Sequence, residues 1–130
     1  MSERISLEVP ATLSALSTVR MVLGGLGARL DFSLEDLDDL YLATDRLLEA
    51  ALDAEELDSI RVDVLVDDGT LRVSAGAFTS QSLRQQISVT PGGCIDLCIL
   101  LQRLVDDVTV EEQDACFCVV MTKHRKGPVA

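Results

Sequence analysis

Apolar and polar residues alternate along several short segments of the chain with the period of half-buried strands. The pattern covers "RISLE" at 4–8, "IRVDVLV" at 60–66 and "LRVSAGA" at 71–77. The last two runs flank "DDGT", and Asp-Gly between alternating runs is a strong hairpin signal. "DDVTVE" at 106–111 and "ACFCVVMTK" at 115–123 predict a final pair of strands.

Three other segments repeat their apolar residues with helical spacing. "TLSALSTVRMVLGGLGARL" at 12–30 follows a proline and ends among glycines. "SLED" at 33–36 places a capping serine three residues before an acid, which predicts a second helix over residues 34–54. "IDLCILLQRLV" at 95–105 predicts a third helix, while residues 78–93 show no sustained period and predict a long loop.

The predicted order of elements is β-α-α-β-β-α-β-β. It indicates an α+β protein: a two-layer α/β sandwich with helices on one face of a mixed, largely antiparallel sheet. At 130 residues with 48% hydrophobic content, we expect a single domain over residues 1–130 with its own core.

The formal charge is −11, from 22 acidic and 11 basic residues. A negative field repels nucleic-acid phosphates and anionic lipid, so we expect neither partner. The basic run "KHRK" at 123–126 is interpreted as a solvated tail. Without a leader-like segment or a run of 18 apolar residues, the chain is expected to be cytoplasmic and to favour a partner with a basic surface.

All four cysteines lie in the last third of the chain, at Cys94, Cys98, Cys116 and Cys118. The first two are spaced i, i+4 and the last two would share one face of a strand. This spacing is not the usual pattern of a zinc site, so the favoured interpretation is reduced, buried thiols that act as small hydrophobic groups. A metal or redox site is the alternative.

From Ile5 to His124 the chain resembles the Bergerat ATP-binding fold of the GHKL superfamily, also called histidine-kinase-like ATPases. The resemblance is to the compact branch of bacterial anti-sigma factors that are also serine kinases. It rests on "SLEDLDDLYLATDRLLEAAL" at 33–52, "RLVDDVTV" at 103–110 and "MTKH" at 121–124. The resemblance implies an ATP site built on the second helix, on the strand after the hairpin and on the last helix.

The second helix of that family carries a glutamate that acts as general base and, four residues later, an asparagine that binds magnesium. The matching positions here are Arg46 and Ala50. A guanidinium cannot accept a proton and a methyl group cannot bind a hard cation, so neither residue can do this work. Asp45 and Glu49 have the same spacing, but using them breaks the match of the apolar stripe. They are interpreted as an exposed acidic face in which Arg46 pairs with Glu49.

Two further parts of the family's ATP site are also replaced. Its adenine-binding aspartate would fall at Ala77, and no acidic residue occurs between Gly69 and Ile95. Its phosphate-binding glycines would fall at Ile95 and Leu97, where Asp96 is interpreted as a helix cap. We therefore expect no catalytic residue, no bound cofactor and no metal.

Three hypotheses of function follow. The first is a non-catalytic anti-sigma-like regulator, a pseudokinase that binds a sigma factor, an anti-anti-sigma factor or a homologous subunit. The second is an active ATP-dependent serine/threonine kinase or ATPase that works through Asp45, Glu49 or Asp96. The third is a zinc- or redox-responsive module that uses the cysteines.

The resemblance also implies a protein-binding surface on the first helix. Family members typically form homodimers and hold their partners through this helix. Its core stripe is expected to consist of Leu13, Leu16, Val19, Val22 and Leu23. Off this stripe, the candidates for partner binding are Met21, Leu26 and Leu30.

Overall fold

The computed structural model describes residues 3–87 and 96–125. Within these residues five strands form one sheet, and four α-helices cover one of its faces. Strand order across the sheet is β1-β2-β3-β5-β4, and every pair of neighbours is antiparallel. The strands are β1 (Glu3–Pro10), β2 (Ser59–Asp67), β3 (Thr70–Phe78), β4 (Asp107–Gln113) and β5 (Cys116–His124). The predicted two-layer α+β class is confirmed, and the sheet is antiparallel in all of its pairings rather than mixed.

The helices are α1 (Leu16–Arg29), α2 (Leu34–Ala54), α3 (Gln81–Ile87) and α4 (Asp96–Leu104). A short 3-10 turn, Leu13–Ala15, precedes α1. The hydroxyl of Ser33 accepts a hydrogen bond from the Asp36 amide at 3.0 Å, so α2 begins with the predicted serine cap. Within the described residues, no helix is long and apolar enough to cross a membrane.

Two glycines of α1 allow it to lie close against α2. A methyl group added at Gly27 would overlap the side chain of Leu37, and one added at Gly24 would overlap the hydroxyl of Tyr41. The glycines near the end of α1 therefore act as packing positions, where an added Cβ would require the side chain of Leu37 or Tyr41 to move.

The β2–β3 hairpin forms as predicted. Asp67 pairs with Thr70, and Gly69 in the turn has a φ of 70°, a left-handed conformation that glycine adopts without strain. The register places the apolar residues of both strands against the helices, where they are fully or almost fully buried: Val62, Val64, Val66, Leu71 and Val73.

One segment differs from its prediction as a loop. Residues 81–87 form α3, which begins after Ser80, whose hydroxyl accepts a hydrogen bond from the Leu83 amide at 3.2 Å. Leu83 and Ile87, spaced i, i+4, are buried in the core. The prediction of an unstructured loop was wrong here, because a seven-residue helix of about two turns with only two apolar residues is too short to show a period. Residues 88–95 lie outside the described part.

The basic run near the end of the chain also differs from its prediction as a solvated tail. Lys123 is only 5% exposed, and its ammonium group donates a hydrogen bond to the backbone oxygen of Leu104 at 2.8 Å. Strand alternation explains the difference, because Lys123 follows Phe117, Val119 and Met121 on the buried face of β5.

Candidate functional site

Helix α2 presents the two positions where the resemblance places a general base and a magnesium ligand. The side chain of Arg46 is 53% exposed, and its guanidinium lies 3.6 Å from the carboxylate of Glu49. The predicted pairing of Arg46 with Glu49 is confirmed. Ala50, one turn further, is half-buried and packs its methyl group against the core. Arg46 therefore takes part in an exposed ion pair, and Ala50 is an apolar packing residue.

The end of β3 carries the position where the resemblance places an adenine-binding aspartate. Ala77 occupies it and is exposed, while the next residue, Phe78, is buried and packs edge-on against Phe117 at 5.8 Å between ring centroids. Methyl and phenyl groups offer adenine no hydrogen-bond acceptor. Nothing in the Ala77 and Phe78 side chains fits the role of the missing carboxylate.

A carboxylate does reach this end of β3, but it comes from α2. Glu55, just after the helix, accepts hydrogen bonds from the amides of Thr79 at 2.9 Å and Ser80 at 2.7 Å. It also accepts one from the Thr79 hydroxyl at 3.1 Å. Both carboxylate oxygens are thus engaged in fixing the start of α3. Glu55 acts as a structural tie between α2 and α3 rather than as an open acceptor.

Sequence reasoning missed Glu55 because its partners are 24 and 25 residues away along the chain. The resemblance implies an acid between residues 69 and 95, the segment that carries this aspartate in the family. A usable signal was present: Ser80 is a capping residue, and the exposed amides at a helix start attract a carboxylate. Only the packing of α2 beside β3 identifies which acid supplies it.

The third part of the predicted site is only partly described. Leu97 lies in the first turn of α4, half-buried against the core, so its side chain has a packing role. Ile95 and the side chain of Asp96 lie outside the described residues. The interpretation of Asp96 as a helix cap therefore stays a prediction.

The alternative acidic pair, Asp45 and Glu49, faces α1. Asp45 forms an ion pair with Arg20, whose guanidinium also lies over the ring of Tyr41, 5.3 Å from its centroid. Asp45 and Glu49 form the acidic side of a cleft of about 330 Å³, which we call the α1–α2 cleft. The cleft is lined by Leu13, Leu16, Ser17, Arg20, Asp45 and Glu49.

The three apolar candidates for partner binding on α1 have different environments. Met21 is 76% exposed, and Leu30 at the end of the helix is half-buried. Leu26 is only 6% exposed and belongs to the core. The prediction that Leu26 lies off the core stripe was wrong, because α1 packs closely at its glycines and buries the face that carries Leu26. The prediction that Leu13 belongs to the core stripe was also wrong: Leu13 lies in the 3-10 turn before α1, is 67% exposed and lines the α1–α2 cleft.

The cysteines in the described residues are free thiols in two environments. Cys98 is buried in α4, and burial raises the pKa of its thiol. Cys116 and Cys118 share the face of β5 that points away from the helices and are half-buried, so the prediction that they are buried was wrong. Burial, followed by the nearby Cys116, Glu111 and Asp63, raises the pKa of Cys118. Residues 3–87 and 96–125 contain no group of three His, Cys, Asp or Glu side chains placed to hold a metal ion.

Comparison with known proteins agrees with this architecture. The chain is 28% identical over 141 aligned positions to the serine-protein kinase RsbW of Listeria monocytogenes serovar 1/2a, covering 95% of this chain and 88% of that protein. RsbW of Listeria monocytogenes serotype 4a gives the same identity and coverage. No protein-family model matches the chain.

A solved structure shows the same fold. The RsbU and RsbW domains of a Mycobacterium tuberculosis protein superpose with a TM-score of 0.64 at 19% identity. The match covers 94% of this chain, which spans 32% of that longer chain. The fold is thus the α+β fold of an RsbW domain. Within that class the chain is homologous to RsbW, which confirms the resemblance to the anti-sigma branch of the superfamily.

Proposed function

We propose that this domain is a non-catalytic, protein-binding regulator in a partner-switching system of sigma, anti-sigma and anti-anti-sigma factors, and that it no longer binds ATP. The homology to RsbW supports the partner-switching role. The observation that carries the loss of ATP chemistry is the residue set at the family's site. Arg46 stands at the position of the base, Ala50 at that of the magnesium ligand and Ala77 at that of the adenine acceptor.

ATP binding at this site would require several favourable interactions at once. Hydrogen bonds to charged groups contribute about 1.5–3 kcal/mol each, and a magnesium ion held by the protein neutralises much of the triphosphate charge. At each of the three positions the acceptor or ligand is replaced by a side chain that cannot provide it. The Glu55 carboxylate, which lies near the adenine position, is already occupied by Thr79 and Ser80.

The proposed partner surface is the exposed side of α1 with the adjoining α1–α2 cleft. Leu13 and Met21 are exposed apolar side chains on this surface. In the cleft, the carboxylates of Asp45 and Glu49 form ion pairs with Arg20 and Arg46. The net charge of −11 attracts a partner with a basic surface at long range, and the exposed apolar side chains would contact apolar side chains of that partner. We include homodimerisation through α1 and a cytoplasmic location in this proposal.

Titration calorimetry with MgATP and MgADP tests the loss of nucleotide binding. We expect no saturable heat, and a dissociation constant below roughly 100 μM, equivalent to more than about 5 kcal/mol, contradicts the proposal. Affinity capture from lysate of the native organism tests the partner class. Recovery of a sigma factor or of a regulator of one supports the proposal, and the same capture with Met21→Glu should lose it.

The alternative is an active serine/threonine kinase with a divergent site, which the name of the homologous RsbW proteins favours. The candidate acids for it, Asp45 and Glu49, form ion pairs with Arg20 and Arg46. A kinase predicts a higher melting temperature in MgATP by mass action, together with transfer of labelled phosphate to an anti-anti-sigma protein. Neither is expected for a regulator that has lost ATP binding.

A further inference from the structure

Strand β4 lies at one edge of the sheet, and within residues 3–87 and 96–125 it pairs only with β5. The outer side of an edge strand presents roughly half of its backbone N–H and C=O groups to solvent. Proteins usually block such edges with proline, lysine or a bulge. The other edge strand, β1, ends with Pro10, whose nitrogen has no hydrogen to donate.

β4 has none of these blocking features. Its sequence contains no proline, glycine or lysine, and all seven of its residues pair with β5 in one unbroken register. Valine and threonine at its centre are residues that favour extended backbone. The outer side of β4 is therefore a regular template on which another strand can form backbone hydrogen bonds.

The residues on and beside β4 are strongly acidic. Positions 106–114 contain no lysine or arginine and carry five carboxylates, those of Asp106, Asp107, Glu111, Glu112 and Asp114. Asp106 and Glu112 already accept hydrogen bonds from other parts of the protein, each at 2.7 Å. Asp107 and Glu111 form no ion pair within the described part of the chain. Their carboxylates are therefore available to basic groups of a partner.

The two faces of β4 differ, because side chains alternate along a strand. Val108 and Val110 are half-buried and pack against the core under the helices. Asp107, Thr109 and Glu111 are exposed and lie on the opposite face. A strand added beside β4 would thus meet apolar neighbours on one face and carboxylates on the other.

Charge decides which strand fits this edge. A second copy of the chain that added its own β4 would place carboxylates opposite Asp107 and Glu111, and like charges directly opposite each other are destabilising. Basic side chains at the same positions are stabilising. Asp107 and Glu111 are four residues apart, roughly 13 Å along the strand, so lysine or arginine at positions i and i+4 of an extended segment can meet both. Positions i+1 and i+3 then lie beside Val108 and Val110 and should be apolar.

We propose that the edge of β4 over residues 107–111 binds an extended segment of a partner protein in which basic and apolar residues alternate. Backbone hydrogen bonds add this segment to the sheet as a sixth strand, and Asp107 and Glu111 select its basic residues. The surface includes no residue of α1 or of the α1–α2 cleft. It depends neither on the proposed partner surface nor on the loss of ATP binding.

NMR titration of the ¹⁵N-labelled protein with the peptide acetyl-Thr-Lys-Val-Thr-Val-Lys-Thr-amide tests the proposal. We expect saturable shifts of the amide signals of residues 107–111. The same peptide with glutamate in place of both lysines should bind at least about tenfold more weakly. A peptide methylated at every backbone nitrogen keeps both charges but cannot donate backbone hydrogen bonds, so it should give no saturable shifts there.

Two results of this titration overturn the proposal. One is the absence of saturation up to about 5 mM of the basic peptide. The other is equal binding of the methylated peptide, which would indicate charge attraction without strand addition. Shifts in residues 107–111 that depend on protein concentration alone would identify a second copy of the chain as the occupant, and they also overturn it.

Substitutions locate the binding site. Asp107→Asn and Glu111→Gln should each weaken binding of the basic peptide about two- to fivefold. The double substitution Asp107→Lys plus Glu111→Lys should reverse the preference, so that the acidic peptide binds better than the basic one. Glu35→Gln and Asp53→Asn remove the same charges from exposed positions on α2 and should leave binding unchanged. A preference for the basic peptide that survives the double substitution would show that the peptide binds elsewhere.

Discussion

The ammonium group of Lys123 lies 3.6 Å from the carboxylate of Asp39, in a position where Lys123 itself is almost fully buried. A second carboxylate, that of the buried Asp36, lies 3.9 Å from the same ammonium group. The backbone oxygen of Leu104 completes the surroundings. One buried cation therefore joins the end of β5 to the start of α2 and the end of α4.

Lys123→Met should destabilise the protein by about 3–5 kcal/mol, the usual cost of removing one partner from a buried ion pair. The loss comes mainly from leaving Asp36 buried without its cation. Urea unfolding followed by circular dichroism measures it. Arg103→Met in α4 serves as a control, because Arg103 is exposed and its loss should change the unfolding free energy by less than about 0.5 kcal/mol. A Lys123→Met protein as stable as the control contradicts the assignment.

Glu55→Gln should loosen the start of α3. The amide that replaces one carboxylate oxygen cannot accept a hydrogen bond through its nitrogen, so at least one of the bonds to Thr79 and Ser80 is lost. We expect a loss of about 1–2 kcal/mol and faster hydrogen exchange at the amides of Thr79 and Ser80. Glu56→Gln, at the exposed neighbouring position, should leave exchange at both amides unchanged. If the amides of Thr79 and Ser80 exchange as slowly in Glu55→Gln as in the unmodified protein, the hydrogen bonds of Glu55 do not stabilise the start of α3.

Met21→Glu and Leu26→Glu should have different effects, the first on partner binding and the second on the stability of the fold. Met21 is exposed, so a charge there should leave stability within about 0.5 kcal/mol while it shifts the protein to monomer or prevents partner capture. Leu26 is buried, so the same change should destabilise the fold by more than about 3 kcal/mol. Light scattering and thermal unfolding measure the two effects. A monomeric unmodified protein whose partner recovery survives Met21→Glu would remove α1 from the functional account.

The double substitution Arg46→Glu plus Ala50→Asn should not produce kinase activity. It supplies a base and a magnesium ligand on α2, but Ala77 still offers no acceptor for adenine, and Glu55 remains bonded to Thr79 and Ser80. Transfer of labelled phosphate from ATP to an anti-anti-sigma protein is the measurement. The unmodified protein and the single substitution Arg46→Glu are the controls, and transfer by the double variant alone would show that the nucleotide site has been misplaced.

The raised pKa values of Cys98 and Cys118 predict slow thiol chemistry and a pH effect on stability. The folded protein favours the protonated thiols, so their stabilising contribution is complete below the thiol pKa of the unfolded chain. It is lost as pH rises through the folded values. Urea midpoints measured from about pH 7.5 to about pH 10 should therefore fall, and fall less in Cys118→Ser. Stoichiometric zinc in protein purified without chelator would contradict the interpretation of free thiols.

Local patterns in the sequence determined most elements of the fold. Ser33 and the apolar stripe after it define α2, and Asp-Gly at the tip defines the β2–β3 hairpin, because both signals act between residues close along the chain. The replacements at Arg46, Ala50 and Ala77 were also readable, since they depend only on residue identity at positions set by a recognised pattern. The helix α3 was missed because its two core residues make a period too short to recognise.

Tertiary structure decided which side chains are buried and which distant residues meet. Leu26 was expected at the surface and Lys123 in a solvated tail. The close approach of α1 to α2 buries Leu26. Lys123 is buried because it lies on the face of β5 that packs against α2 and α4. The contacts of Glu55 with Thr79 and Ser80 arise from the packing of α2 beside the end of β3. Such contacts are invisible to local patterns, because the free energy that selects them is a sum over residues far apart in the chain.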